Sequence, residues 1–171
     1  MAVHSSIKSL LRESLPQSIR VAECCVSRQF GYPAAILLFC AIDSIGSFYR
    51  KNKKFTIMID GKARYIAKDG VQHFFILNSD FFELNLSRER IEQIYNNFRS
   101  LLVHNASLPP GCFIISSPDK DPFPIDKTNH AVNVDSLLEL TKKAVEKFIK
   151  QIDDIVPTSD QHKYIMFRKL K

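Results

Sequence analysis

The sequence predicts a mainly α-helical bundle of four to five helices that carries two short β-hairpin insertions. Three observations predict it. Apolar residues recur at helical spacing over residues 88–104 and again over 137–152. Residues 33–50 are apolar nearly all round, as a central, buried helix requires. The alternating stretches flanking Asp60-Gly61, and those at 112–117 and 131–134, are too short for more than hairpins.

Taken in order, SIKSLLRESL (6–15) reads as a short helix with Ile7, Leu10 and Leu11 on its apolar face. Pro16 removes a backbone donor, so the pattern is expected to break there. A second helix follows over QSIRVAECCVSRQF (17–30), stopped by Gly31. Pro33 suits the first turn of the next helix, where its missing N–H costs nothing. That helix, to about residue 50, has Asp43, Ser44 and Ser47 as its polar exceptions.

In KFTIMIDGKARYIAKD (54–69) two alternating runs flank Asp60-Gly61, a strong hairpin signal. GVQHFFILNSDFF (70–82) reads as a short helix. Ser87 is a good N-cap for RERIEQIYNNFRSLLVH (88–104), with apolar residues at 91, 94, 95, 98, 101 and 102. NASLPPG stops it. CFIISS (112–117) and AVNV (131–134) read as strands that pair as a second hairpin across the polar, proline-rich PDKDPFPIDKTNH. Asp135 or Ser136 is expected to cap a final helix whose stripe is Leu137, Leu138, Val145, Phe148, Ile149 and Ile152. The tail from about 157 is expected to be loosely held.

The 171 residues, 45% hydrophobic and 25% charged, fit one domain spanning 1–171, large enough to bury a core without disulfides or metal. With 13 Phe and no Trp, that core should be phenylalanine-rich. MAVHSSIKSLLRESLPQS lacks the long apolar run and cleavage site of a secretory signal. YPAAILLFCAIDSIGSF contains Asp43 and falls short of the roughly 20 uncharged residues of a membrane span, so a buried helix and no membrane are expected. Cys24, Cys25, Cys40 and Cys112 form no CxxC pair, and His4, His73, His104, His130 and His162 are scattered. Reduced, mostly buried cysteines in a cytoplasm, with no metal and no cofactor, are the expectation. The formal net charge of +6 permits an anionic partner. Its clusters, RKNKK (50–54) and KYIMFRKLK (163–171), read either as solvated segments or as phosphate-attracting patches. No GxGxxG, P-loop, GxSxG or calcium-loop pattern is present.

The remaining candidate chemistry lies in NNFRSLLVHNASLPPG (96–111), where Arg99 and His104 end an amphipathic segment. Nine arginines and five histidines supply roughly 0.8 such spacings by chance in a chain of this length. The pair therefore reads either as two solvated helix residues, His104 favouring the helix C-terminus, or as one site. On a regular helix, residues five apart point about 140° from each other. A frayed last turn and a long arginine bring them closer. Asp43 adds a second constraint: a carboxylate on a buried helix is costly unless paired. Arg99 is one of few cations beside a stripe able to dock on that helix, and the alternative is a hydrated rim position.

FRSLLVHN resembles the hallmark of the HEPN superfamily, an R-x4-6-H motif near the end of a late helix of an all-α domain. The family usually places Asn, Asp or His directly after the arginine, where this chain has Ser100. The resemblance implies a metal-independent ribonuclease with Arg99, His104 and Ser100 as catalytic residues. Asp43, Asn96 and Asn105 are expected in structural or orienting places, with Asn96 lining the same groove and Tyr95 either lining it or packing in the core. It also implies a homodimer with two motifs facing one cleft, in a toxin, defence or RNA-processing setting, with RNA and an antitoxin or other protein as partners. The alternative is a non-catalytic relative that binds RNA or protein. The chemistry suits the residue types: histidine moves protons near neutral pH, and arginine presents a rigid fork of donors to a phosphorane.

Overall fold

The computed structural model describes residues 7–52, 55–117, 121–123 and 130–156. The tail from 157, its basic cluster and much of the proline-rich loop lie outside the described residues. The architecture is mainly α-helical, with two small two-stranded sheets.

Helix α1 spans Ile7–Ser27 without a break, with Pro16 inside it. The expected division at Pro16 does not occur because Ile7, Leu11, Leu15, Ile19 and Ala22 form one buried stripe across it. Packing along α2 and α5 offsets the lost backbone bond. Gly31 is not the stop. Gln29 takes a left-handed φ of 62°. The Phe30 amide donates to the Cys25 carbonyl at 2.8 Å and the Gln29 amide to that of Val26 at 2.9 Å. This is the Schellman arrangement, made here without glycine.

Gly31 instead opens α2, Gly31–Tyr49, which carries Pro33 in its first turn. By length and composition α2 could cross a membrane, but half of its most apolar window is buried inside the domain. It packs on α1, on α5 and on the 3-10 helix below, so its hydrophobicity is that of a core helix.

Strands β1, Ile57–Ile59, and β2, Lys62–Arg64, form the expected antiparallel hairpin. Asp60 and Gly61 both have positive φ, 50° and 70°, as a type I′ turn demands. A 3-10 helix, Gly70–Asn78, buries His73 through Leu77 against α2.

Ser87 caps α3, Arg88–Ile94, accepting the Arg90 amide at 3.3 Å. The rod then changes character. Tyr95–Ser100 is π-helical, and α4, Leu101–Asn105, resumes the α form before Ala106 ends it with a φ of 50°. Ile91, Ile94, Phe98 and Leu102 face the core along the whole rod.

The second strand pair corrects the sequence reading. β3, Cys112–Ile115, and β4, His130–Asn133, run parallel, with Cys112 opposite His130 and Ile115 opposite Asn133. A parallel pair needs a crossover, which the long proline-rich segment supplies, whereas a tight turn cannot. Neither Asp135 nor Ser136 caps the last helix. α5, Val134–Lys150, has Asn133 at its N-cap position without a side-chain cap bond, and Asp135 in its first turn accepts the Ser116 hydroxyl instead. The single-turn α6, Ile152–Ile155, packs on α5.

The core is one cluster, and Phe39, Phe74, Phe98, Phe123 and Phe148 are fully buried within it. Phe39 and Phe74 lie 6.0 Å apart between ring centres, tying α2 to the 3-10 helix.

Candidate functional site

The site grows from one carboxylate. Asp43 faces outward from α2, partly covered by the π-helical stretch and the 3-10 helix, with 18% of its side chain exposed. One oxygen accepts from the Arg99 guanidinium. The other lies 2.7 Å from His73 Nδ1. Burial alone would raise the Asp43 carboxyl, but the His73 hydrogen bond and the Arg99 charge outweigh it and hold it below the usual carboxylate value.

Each partner is held in turn. Arg99 is only 18% exposed, and its guanidinium sits 5.4 Å from the centre of the Tyr95 ring. That ring packs edge-on against Phe74 at 5.3 Å. Tyr95 thus belongs both to the core and to the wall of the site. His73 extends the network away from Asp43: its Nε2 lies 3.4 Å from the Asp69 carboxylate, without hydrogen-bond geometry. Asp69 pairs in addition with Arg50, at the end of α2. The order is Arg99, Asp43, His73, Asp69, Arg50, drawn from three segments of the chain.

The π-helical stretch explains how Arg99 reaches this position. A π-turn closes bonds from i to i+5, so it spends more residues per turn than the α form. Phe98 stays in the core while its neighbour Arg99 points along the surface onto α2.

His104 stands differently. It is exposed in the last turn of α4, and no hydrogen bond or ion pair joins its side chain to Arg99 or to any other described residue. Ser100 is half-buried beside Arg99 in sequence, and Asn96 and Asn105 are exposed. The structure therefore brings Arg99 and Asp43 together, and it leaves His104, Asn96 and Asn105 open to solvent on the same rod.

Three participants were not singled out in the sequence: His73, Asp69 and Arg50. A histidine inside the apolar GVQHFFIL run was the available signal, since a buried imidazole needs a polar partner. Cys40, one turn before Asp43, is also close by. It is exposed, contrary to the expectation of mostly buried cysteines, as is Cys24, because both fall on the outer sides of their helices. Desolvation still pushes the Cys40 thiol up; Arg99 pulls it down and Asp43 raises it, and the net shift is upward. The thiol form is favoured, which does not suit a nucleophile. Among the described residues no group of three or more His, Cys, Asp or Glu could hold a metal ion.

Compared with protein-family models, with curated proteins and with solved structures, the chain matches none of them.

Proposed function

We propose that the chain is a metal-independent endoribonuclease of the HEPN type, with Arg99 as the phosphate-binding cation and His104 as the proton-transfer group. The observation that carries this reading is an arginine fixed by Asp43 and Tyr95 on the same short rod as an exposed histidine with no competing partner among the described residues. A pre-positioned cation costs no reorganisation when charge develops on phosphorus.

In this mechanism neutral His104 accepts the proton of a ribose 2′-OH. The 2′-oxygen bonds to phosphorus, the bond from phosphorus to the 5′-oxygen breaks, the departing oxygen takes a proton from water, and protonated His104 then gives its proton back to solvent. The products are a 2′,3′-cyclic phosphate and a 5′-OH. Arg99 keeps donors beyond the one given to Asp43 for the phosphorane oxygens, and Ser100 orients the phosphate. As in the family it resembles, the active unit is a homodimer with both motifs in one cleft, working on RNA in the cytoplasm.

A second reading, an RNA- or protein-binding module without catalysis, is favoured by one feature: Arg99 Nε is buried without a partner, and part of the fork is committed to Asp43. One experiment separates them. Purified protein is incubated in EDTA with RNA and with the same sequence bearing a 2′-deoxy substitution at each ribose, beside His104→Ala. Cleavage of RNA alone, lost in the variant, is expected. Equal cleavage by both proteins, or none, removes the enzyme reading for those substrates.

A further inference from the structure

The β-hairpin presents a second surface that the Arg99 network does not use. In β1, Ile57 and Ile59 are buried against the 3-10 helix. In the antiparallel register Ile57 stands opposite Arg64 and Ile59 opposite Lys62. Cross-strand partners project to the same face of a ribbon. Arg64 and Lys62 therefore share the inward face of β1, yet both are exposed. Strand β2 overhangs the body of the domain, and two cations occupy positions where a packed ribbon places apolar side chains.

Beneath the overhang lies a cleft of about 420 Å³, within the range of small-ligand sites. Lys62 and Arg64 line it from the strand, Phe75 and Gln72 from the 3-10 helix, and Tyr65, Arg88 and Asp60 are also among its lining residues. The cleft is built rather than incidental. The Gln72 Oε1 accepts the amides of Ala67 at 2.9 Å and Lys68 at 3.0 Å, pinning the chain after β2. At the other end, the Asp60 carboxylate of the turn accepts the Arg88 amide at 3.1 Å. Arg88 is paired with Glu92, and Asp60 is the one acid of the lining. Lys62 and Arg64 have no ion pair with any described residue. Tyr65 is 45% exposed.

Unpaired cations on an inner face, beside an exposed aromatic ring, match the two parts of a nucleotide: phosphate for the cations and base for the ring. We propose that this cleft binds a single-stranded nucleic-acid segment, with Lys62 and Arg64 on its phosphates and Tyr65 stacked on a base. The site stands independently of the cleavage reading, since none of its residues belongs to the Arg99 network.

The test is fluorescence anisotropy of the full chain with a labelled single-stranded oligonucleotide, over a salt series, in the His104→Ala background so that cleavage cannot intervene. The Lys62→Ala/Arg64→Ala double variant is expected to bind at least tenfold more weakly. Loss of two phosphate contacts should also lower the log–log salt slope by about 1.4. Tyr65→Ala should cost about fivefold or more, with Tyr65→Phe retaining affinity. A charge-matched control, Lys8→Ala/Arg12→Ala on α1, removes two cations paired with Asp153 and should bind as the parent does. No binding by the parent, equal loss in the control, or an unchanged affinity and slope in the hairpin double variant overturns the proposal. Full competition by a mononucleotide at the oligonucleotide's own affinity overturns the strand as occupant. Matching melting curves for all variants show that the losses are not unfolding.

Discussion

Gly46 of α2 lies directly against the backbone of His73. A methyl group built at Gly46 would fall 2.8 Å from the His73 carbonyl carbon and 2.9 Å from its Cα. Gly46 follows Asp43 by about one turn, so this close approach is what lets the 3-10 helix bring His73 onto the Asp43 carboxylate. Gly46→Ala forces rigid backbone apart and should destabilise by about 1–3 kcal/mol. Urea unfolding monitored by circular dichroism measures it, and an unchanged midpoint would show that the two segments can separate freely.

Removing one partner of the Asp43–Arg99 pair leaves the other charge largely out of water. Arg99→Ala should therefore cost about 3 kcal/mol, and Asp43→Asn a comparable amount. Combined, the two changes should cost clearly less than their sum. A double-mutant cycle with additive losses would deny the coupling.

The depressed Asp43 carboxyl makes a definite pH prediction. A group whose folded value lies below its unfolded value stabilises the fold above the unfolded value, about 3.9 for aspartate. That stabilisation is lost as pH falls through the folded value. The stability gap between wild type and Asp43→Asn should thus close as pH falls through the folded value of Asp43. Asp153 and Glu83, drawn down by their hydrogen bonds with Lys8 and Lys147, share the acid limb, but they are unchanged in the variant. A gap independent of pH down to about 2 would contradict the assignment.

His104 is exposed and unpaired among the described residues, so His104→Ala should change stability by less than about 0.5 kcal/mol. This separates a chemical role from a structural one: activity lost at constant midpoint belongs to chemistry, whereas a lowered midpoint would place His104 in the fold.

Pro16 sits inside α1 with its ring half-buried and no amide to donate. Pro16→Ala restores a backbone bond and should stabilise by about 1–3 kcal/mol, less the added freedom of the unfolded chain. Thermal melting measures the sign, and a lowered midpoint would show that the ring's contacts at the α1–α5 groove outweigh the bond.

Much of this was legible in sequence, and the exceptions have physical causes. The helical stripe at 91, 94, 98 and 102 is a local periodic signal, and Asp60-Gly61 fixes its turn through two left-handed residues. The pairing of Asp43 was legible as a cost: a carboxylate on an apolar helix needs a cation. The continuity of α1 through Pro16 was not, because its compensation comes from α2 and α5. The direction of β4 was not either, since alternation looks the same in parallel and antiparallel strands. His73 escaped because its meeting with Asp43 depends on the close approach at Gly46, which no spacing records.

The π-helical stretch from Tyr95 to Ser100 has one more consequence. It acts as a spacer between two registers of one rod. Ile91 and Ile94 before it, Phe98 within it and Leu102 after it all face the same core. Arg99 belongs to the spacer and His104 to the α-helical turn after it, so both segments set the angular offset between them. Deleting one residue of the stretch would let an ordinary α-helix form, and the two ends of the rod would then compete over which side faces inward. Such a deletion would move Arg99 relative to Phe98 and Leu102, and so relative to Asp43. The rod can change length here only at the expense of one of its anchors.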